Sequence, residues 1–472
     1  ADVTAAVGAT GSVATAGALL VDASAINSAN SKSDLGSGSA GLAIGVSLLR
    51  AKVAGGVLAE YDGAVTAAGS VKIHADGSNV AEAKALAVTV GLLLAGTGAN
   101  ARAEVTADAD VVAQVGSTAQ LSVPGASIDV LANGINSAVA STVVVSVSGL
   151  VSVSGALPSA LVAGGVQAEF DGTALAASKI NVKATGDNTA RATATSVGAS
   201  ALVGIAFSGA QATVSDQANV LAAVGATASI TVAGTLTIEA TGTNDAHADS
   251  TIGSGGLFGG VSGATLSATV EGSTRARMDG TVLDASLIKL DATGENSASA
   301  DALAIAVGLF AGAGITPSAL VAESAVVEAS LGGSAHVQAA NAAIEANATS
   351  TDSASADSSG VSVSGLGLTI MNVSAESKGS TLASVGDGAR INAHSLTLNA
   401  QAFSTRTAVL SSIVVGLLAQ ATQANTPATD SHGVRAYVGA GADIVTTGDV
   451  TILATSTNEG TSSAVLGSGG LG

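Results

Sequence analysis

The sequence has no cysteine and no tryptophan, and its 472 residues include only 4 prolines, 2 tyrosines and 5 phenylalanines. The absence of cysteine excludes disulfides and thiolate metal sites. Hydrophobic residues still make up 47% of the chain, but most of them are Ala, Val, Leu and Ile. Such small side chains cannot fill a wide globular core at native packing density. They fill a narrow core between closely spaced backbones, which favours a slim solenoid.

Basic residues are also scarce, since 16 Lys and Arg stand against 35 Asp and Glu, for a formal net charge of −19. This balance argues against nucleic acid and anionic membrane surfaces as partners, because both are negatively charged. The uncharged run at residues 141–166 is long enough for a membrane span. Its Ser, Gly and β-branched residues instead predict paired strands, so we expect no membrane span in this chain.

A two-residue corner recurs along the whole sequence with a nearly constant period of about 54 residues. A fixed period of this kind is the mark of a repeat architecture. The second residue of each corner is glycine or aspartate, both of which suit tight turns. We interpret nine positions as structural corners: Gly8, Asp62, Gly116, Asp171, Gly225, Asp279, Gly332, Gly386 and Gly439. In the second, fourth and sixth repeats the corner is an aromatic residue or Met followed by Asp, which gives a superperiod of about 108 residues.

Each corner is followed by two short alternating segments, such as ASITV at 228–232 and LTIEA at 236–240. Next come a long alternating segment, an apolar glycine loop and a return segment. Alternation bounded by glycine predicts strands with one buried face. The long segment starts near a polar residue, and the members of this series are Asn27, Asn79, Asn136, Asn188, Asn244, Asn296, Ser350, Ser404 and Asn458.

These patterns predict an all-β fold, a β-solenoid (β-helix) of nine repeats of about 54 residues. We prefer two coils per repeat, with one large flattened coil as the alternative. The period runs through residues 1–472 without a linker, which predicts a single continuous array. Both ends fall inside a repeat and lack a polar capping repeat. We therefore expect a fragment of a longer chain, or a subunit that stacks end to end with copies of itself.

No catalytic or ligand-binding motif stands out from the repeats. The GxSxG, HExxH and Walker patterns are absent, and the five histidines lack ligand spacing. The Asp corners are two repeats apart, so a spacing of at least ~9.6 Å keeps them from sharing a calcium ion. We predict no catalytic residue, no cofactor and no metal site, and therefore not an enzyme. The loop residues Phe207, Phe258 and Phe310 are predicted to stack inside the solenoid.

The segment AYVGAGADIVTTGDVTILA at 436–454 resembles the repeats of leukotoxin-type filamentous adhesins and other bacterial β-strand-repeat surface proteins. Every repeat of the chain is a variant of this segment, so the resemblance covers the whole sequence. It implies an exported bacterial protein, extracellular or at the cell surface, with a β-solenoid and a role in adhesion or in a fibre. It carries over no catalytic or binding residue.

Two classes of function follow from these expectations. In the first, the chain is a structural region that gives a surface fibre or adhesin its length and stiffness, through self-assembly or cell attachment. In the second, a face of the solenoid binds a ligand such as a glycan of a host cell, a neighbouring cell or a matrix. Ice is another ligand of this class, but an ice-binding face needs flat ranks of Thr, whereas the outward residues here are a mixture of Ser, Asn, Asp, Glu and Lys. We favour the structural class.

Overall fold

The computed structural model describes residues 2–470, which are 81% strand and contain no helix. Long parallel strands stack into a solenoid, so the all-β solenoid prediction is confirmed. One sheet holds a short strand from each repeat. Its strands are β1 (Val3–Val7), β5 (Val57–Tyr61), β9 (Val111–Val115), β14 (Val166–Phe170), β17 (Val220–Val224), β20 (Thr274–Met278), β23 (Val326–Leu331), β26 (Ser380–Val385) and β29 (Gly433–Val438).

The remaining strands run outward from the corners and back again. The outward strands are β2 (Ser12–Ala14), β3 (Ala18–Ser39), β6 (Ala64–Ala67), β7 (Ser70–Gly91), β10 (Gln120–Ser122), β11 (Ser127–Ser148), β15 (Thr173–Ser200), β18 (Ser229–Gly255), β21 (Thr281–Asp284), β30 (Asp443–Thr446) and β31 (Val450–Gly470). The return strands are β4 (Leu42–Val53), β8 (Leu94–Val105), β12 (Val151–Ala156), β13 (Ser159–Val162), β16 (Val203–Val214), β19 (Gly259–Val270), β25 (Ser374–Ser377) and β28 (Ala428–Asp430). Three strands continue through the tip into the return path: β22 (Leu287–Val321), β24 (His336–Asn372) and β27 (Arg390–Asn425).

Each repeat forms one coil, and strands of consecutive coils pair in parallel. Val3 lies opposite Val57, and Ser127 lies opposite Lys179, so each pairing joins positions that are one full repeat apart. The preferred division into two coils per repeat is therefore wrong, and the single large coil is correct. The physical reason is that the outward and return strands of one repeat face each other across a shared core. Strands on opposite sides of a core cannot also stack as successive coils.

The fourth coil shows the path of the chain. β14 ends at Phe170, the corner residue Asp171 follows, and β15 starts at Thr173, bends at Ala176 with φ of 58°, and runs out to Ser200. After a short tip, β16 returns toward the next short strand. The straight part of an outward strand, such as the 22 residues of β11, spans about 73 Å at ~3.3 Å per residue. Nine coils at ~4.8 Å advance only about 43 Å, so the molecule is a wide slab.

Two separate hydrophobic cores fill each coil. The base core lies between the short strands and the first half of the outward strand, and it contains residues such as Val166, Ile180 and Val182. The arm core lies between the second half of the outward strand and the return strand, and it is mostly alanine. Cα atoms of β16 and β18, on opposite sides of the arm, lie within 8 Å of each other. Stacked sheets are usually ~10 Å apart, so the alanine methyl groups permit an unusually thin arm.

A column of buried asparagines separates the two cores. The column contains Asn27, Asn79, Asn136, Asn188, Asn244 and Asn296, and each Nδ2 up to that of Asn244 donates to Oδ1 of the asparagine in the next coil at 2.9 Å. The same Nδ2 also donates to a carbonyl in the turn after the return strand, as Asn136 does to Gly164. We call this column the asparagine ladder. It keeps every amide hydrogen-bonded where burial would otherwise be costly.

A column of glycines lies beside the ladder because the short strands press against it. A Cβ at Gly186 would overlap Cγ2 of Val220, and one at Gly134 would overlap Cγ2 of Val166. These valines belong to the short-strand sheet and are fixed by the base core. The glycines are therefore required for close packing.

Gly186→Ala is predicted to destabilise the solenoid by about 1–3 kcal/mol, because the added methyl group overpacks the site against a stiff β-branched side chain. The matched control is Gly253→Ala, since nothing lies within 4 Å of a Cβ at Gly253. Chemical denaturation followed by far-UV circular dichroism measures both. Equal midpoints for the two variants would contradict the packing argument.

Candidate functional site

The nine predicted corner positions lie in one column along the solenoid axis. Each directly follows the last residue of a strand in the short-strand sheet, whose register aligns Val7, Tyr61, Val115, Phe170 and their equivalents. The structure therefore brings Gly8, Asp62, Gly116, Asp171, Gly225, Asp279, Gly332, Gly386 and Gly439 together, one coil apart.

The corner aspartates alternate with glycines because each carboxylate occupies space in the next coil. A Cβ at Gly116 would overlap Oδ1 of Asp62, and the same holds for Gly225 above Asp171 and Gly332 above Asp279. The Asp62 backbone oxygen also accepts a hydrogen bond of 2.9 Å from the Thr118 hydroxyl. These contacts account for the superperiod of about two repeats seen in the sequence. They also indicate that the role of the corner aspartates lies in the packing of one coil on the next.

Sequence reasoning did not predict a column of aspartates on the solvent-facing side of the outward strands, which we call the outward face. Asp249, Asp301 and Asp357 lie directly opposite one another on consecutive coils, and His247 Nε2 lies 2.8 Å from Asp249. Each aspartate belongs to a different repeat, so only the one-coil register makes them neighbours. The local pair His247 and Asp249 was visible in the sequence, but its partners were not.

Two groups of this site, His247 and Asp357, have raised pKa values. A hydrogen bond to Asp249 raises the pKa of His247, in spite of partial burial. Burial, followed by the negative charge of Asp301, raises the pKa of Asp357. One nitrogen of His247 and one oxygen each of Asp249 and Asp301 lie within 4.8 Å of one another. Imidazole and carboxylate are ligands that zinc accepts, but His247 and Asp249 already satisfy each other, so we assign no metal here.

A buried polar cluster interrupts the asparagine ladder near the seventh coil. Asp352, rather than Ser350, occupies the ladder position, and its Oδ1 accepts a hydrogen bond of 2.8 Å from Asn296. Its Oδ2 lies 2.7 Å from His432 Nδ1. His432 Nε2 lies 3.0 Å from the Thr381 hydroxyl, which donates to the Ser350 hydroxyl at 2.7 Å.

The order of hydroxyl, imidazole and carboxylate is the one that activates nucleophiles in hydrolases. The side chains of His432 and Asp352 are 1% and 0% exposed, however, and Thr381 is fully buried. A substrate cannot reach a hydroxyl that has no exposed surface. We therefore interpret the cluster as a structural replacement for the ladder.

The origin of the cluster is visible from the coil register. His432 occupies the turn position that is Gly379 in the previous coil and Ala325 in the one before. Its ring fills the space above Gly379, where a Cβ would approach Nδ1 of His432 and Oδ2 of Asp352. Thr381 likewise replaces the valine seen at Val327. Four polar residues thus occupy positions that hold other residues in neighbouring coils. Ser350 replaces a glycine, Asp352 an asparagine, Thr381 a valine and His432 a small turn residue.

Arg406 extends the cluster into the eighth coil. Its Nη1 lies 2.8 Å from Asp430 and donates to the Ser404 hydroxyl at 2.8 Å, while its side chain is only 3% exposed. The Ser404 hydroxyl donates to Ser377 at 3.2 Å. Since a buried guanidinium requires a paired carboxylate, Asp430 and Arg406 stabilise each other.

The loop phenylalanines do not stack inside the solenoid, so that prediction is wrong. Phe258 and Phe310 lie at the tip of the arm and are 51% and 55% exposed. The Phe207 ring lies over Gly155 of the preceding coil, on the outer surface of the return sheet. The arm core is too thin to admit an aromatic ring, since alanine fills it.

Comparisons of the chain with protein-family models, with curated proteins and with solved structures give no match. Among residues 2–470 there is no helix long and apolar enough to cross a membrane.

His432→Ala is predicted to destabilise the solenoid by about 3–5 kcal/mol, because it leaves the buried carboxylate of Asp352 unpaired. The double variant Asp352→Asn with His432→Ala should recover most of this loss. It recreates the asparagine and small turn residue found in coils two to five. Denaturation midpoints measure the cycle. A double variant no more stable than His432→Ala would contradict the assignment of this cluster as a ladder replacement.

Asp357→Asn is predicted to stabilise the protein at pH 7 and to change little at pH 3. A raised pKa means that the folded state binds the Asp357 proton more tightly than the unfolded chain, so stability falls as the pH rises through that pKa. Removing one of two directly opposed like charges is worth roughly 0.2–1 kcal/mol. Asp187→Asn is the control, because Asp187 lies between Ile135 and Thr243. Equal gains for both variants would contradict the assigned cause.

Proposed function

We propose that this chain is the structural repeat region of an exported bacterial surface fibre or filamentous adhesin. The observation that supports the proposal is the unbroken parallel register of the short-strand sheet, from β1 through β29. Each coil contacts its neighbours alone, so load and stability are distributed along the axis rather than held in one core. The asparagine ladder adds a continuous line of buried hydrogen bonds to this stack.

The dimensions favour stiffness over length as the property supplied. A coil of about 54 residues advances the axis by only ~4.8 Å, while its outward strand spans about 73 Å. A structure built for reach would use small coils. A wide cross-section instead resists bending, because material far from the axis opposes curvature most.

Immunogold labelling tests this proposal in the cells that make the protein. Antibodies raised against the purified chain should label fibres or a layer outside the cell, and an in-frame deletion of these repeats should remove both label and structure. Preimmune serum is the control. Label confined to the cell interior would overturn the proposal.

A second candidate function is glycan binding by the outward face. An open groove of about 460 Å³ is lined by Thr193, Asp249, Thr251, Asp301 and Asp357, among others. Carboxylates and hydroxyls that converge in a groove are suited to sugar hydroxyl groups. A glycan array probed with the wild-type chain and with the Asp301→Asn, Asp357→Asn variant tests this function. Binding that the variant loses would support it, and the absence of binding would leave the structural proposal alone.

A further inference from the structure

The tips of the arm form an exposed apolar strip along the solenoid axis. Each tip joins the outward path of a coil to its return path, either through a turn or within one continuous strand, and most tips carry an exposed leucine. We call the set Leu92, Leu150, Leu257, Leu309, Leu366 and Leu417 the tip strip. Leu257, in the central coil, is 71% exposed. Soluble proteins rarely expose a contiguous apolar patch of this kind unless it contacts something.

The tip strip is also free of charge. Residues 91–98, 149–156, 201–208, 256–263, 308–315, 364–371 and 416–423 contain no Asp, Glu, Lys or Arg, although the chain carries a net charge of −19. Two copies that approach tip to tip therefore avoid the repulsion that their other faces would produce. The tip strip is therefore the surface on which two copies of this acidic molecule can associate without charge repulsion.

The strip has a groove that suits a row of apolar side chains. Successive tips leave a cavity of about 740 Å³ lined by Leu257, Val307, Leu309, Val363, Val415 and Leu417, among others. It crosses coils that are ~4.8 Å apart. A second tip strip presents leucines at the same spacing, so its side chains match this groove, which begins at the fifth coil.

The area is sufficient for a specific pair. The tip strip crosses seven coils from Leu92 to Leu417, so it is about 34 Å long, and with a width of roughly 15 Å it offers about 500 Å² on each copy. The pair would bury about 1,000 Å², which is the lower end of the range for biological interfaces. We propose that a second copy of this chain docks on the tip strip, tip to tip, as a two-fold pair.

A lipid bilayer is a poorer occupant of the strip. Peripheral membrane surfaces usually place Lys, Arg, Trp or Tyr beside their apolar residues to hold the headgroup region. The chain has no Trp, and the tip segments defined above contain no basic residue and no Tyr. This inference goes beyond the proposed function and stands without it, because a paired slab is compatible with any role.

Sedimentation velocity of the purified chain tests the pairing. Wild type at tens of micromolar should sediment as a species of twice 44.2 kDa. The triple variant Leu257→Asn, Leu309→Asn, Leu417→Asn should weaken the pair at least 100-fold and sediment as a monomer. The matched control is Leu175→Asn with Leu283→Asn, since both leucines are exposed at the bend after the corner rather than at the tip. This control should remain paired.

Cysteine probes distinguish tip pairing from end-to-end stacking, because the chain has no native cysteine. Leu257→Cys lies in the central coil, where both orientations of a two-fold pair bring it opposite its equivalent. Mild oxidation should link it into a dimer on a non-reducing gel. Leu175→Cys, at a leucine that is 49% exposed but lies away from the tip, should remain unlinked.

Three results would overturn the proposal. The first is a wild-type chain that stays monomeric at 100 μM, and the second is a pair that persists in the folded triple variant. The third is flotation of a monomeric wild-type chain with phosphatidylcholine vesicles, abolished in the triple variant, which would make lipid the occupant. Circular dichroism of each variant establishes that it is folded.

Discussion

Each residue of this solenoid lies against its equivalent in the next coil, and that constraint governs the choice of side chains throughout. A column of asparagines works because every amide both donates and accepts along the axis. A column of alanines works because identical methyl groups leave a flat surface for the opposite sheet. Where one member changes, as at Asp352, its neighbours His432 and Thr381 change with it.

The sequence was sufficient to predict an all-β solenoid of parallel strands, because alternation and glycine placement are local signals. It was not sufficient to predict the number of coils per repeat, because the sequence alone does not show which strands pair with each other and which face each other across the core. The choice depended on the arm core, where alanines of β15 and β16 meet across the slab. The thin arm core also explains why the predicted stacking of the loop phenylalanines was wrong, because only a wider core would have room for Phe258 and Phe310.

The candidate sites were less predictable than the fold. Asp249, Asp301 and Asp357 become neighbours only through the coil register, and His432 reaches Asp352 from the following repeat. Each of these groups looks ordinary in its own sequence context. A repeat protein hides such clusters, because their members are spread over successive repeats, where local motif searches do not connect them.

The alternation of aspartate and glycine at the corners has a consequence for how such a chain changes length. Between the second and seventh coils, an Asp corner fits only beneath a Gly corner, and bulky Tyr61, Phe170 and Met278 alternate with smaller neighbours. Losing a repeat with a Gly corner from this region, such as the third or the fifth, would bring two aspartates and two bulky side chains into contact. Losing or gaining two repeats would restore the pattern. A change by whole pairs of coils therefore preserves the alternation in this region.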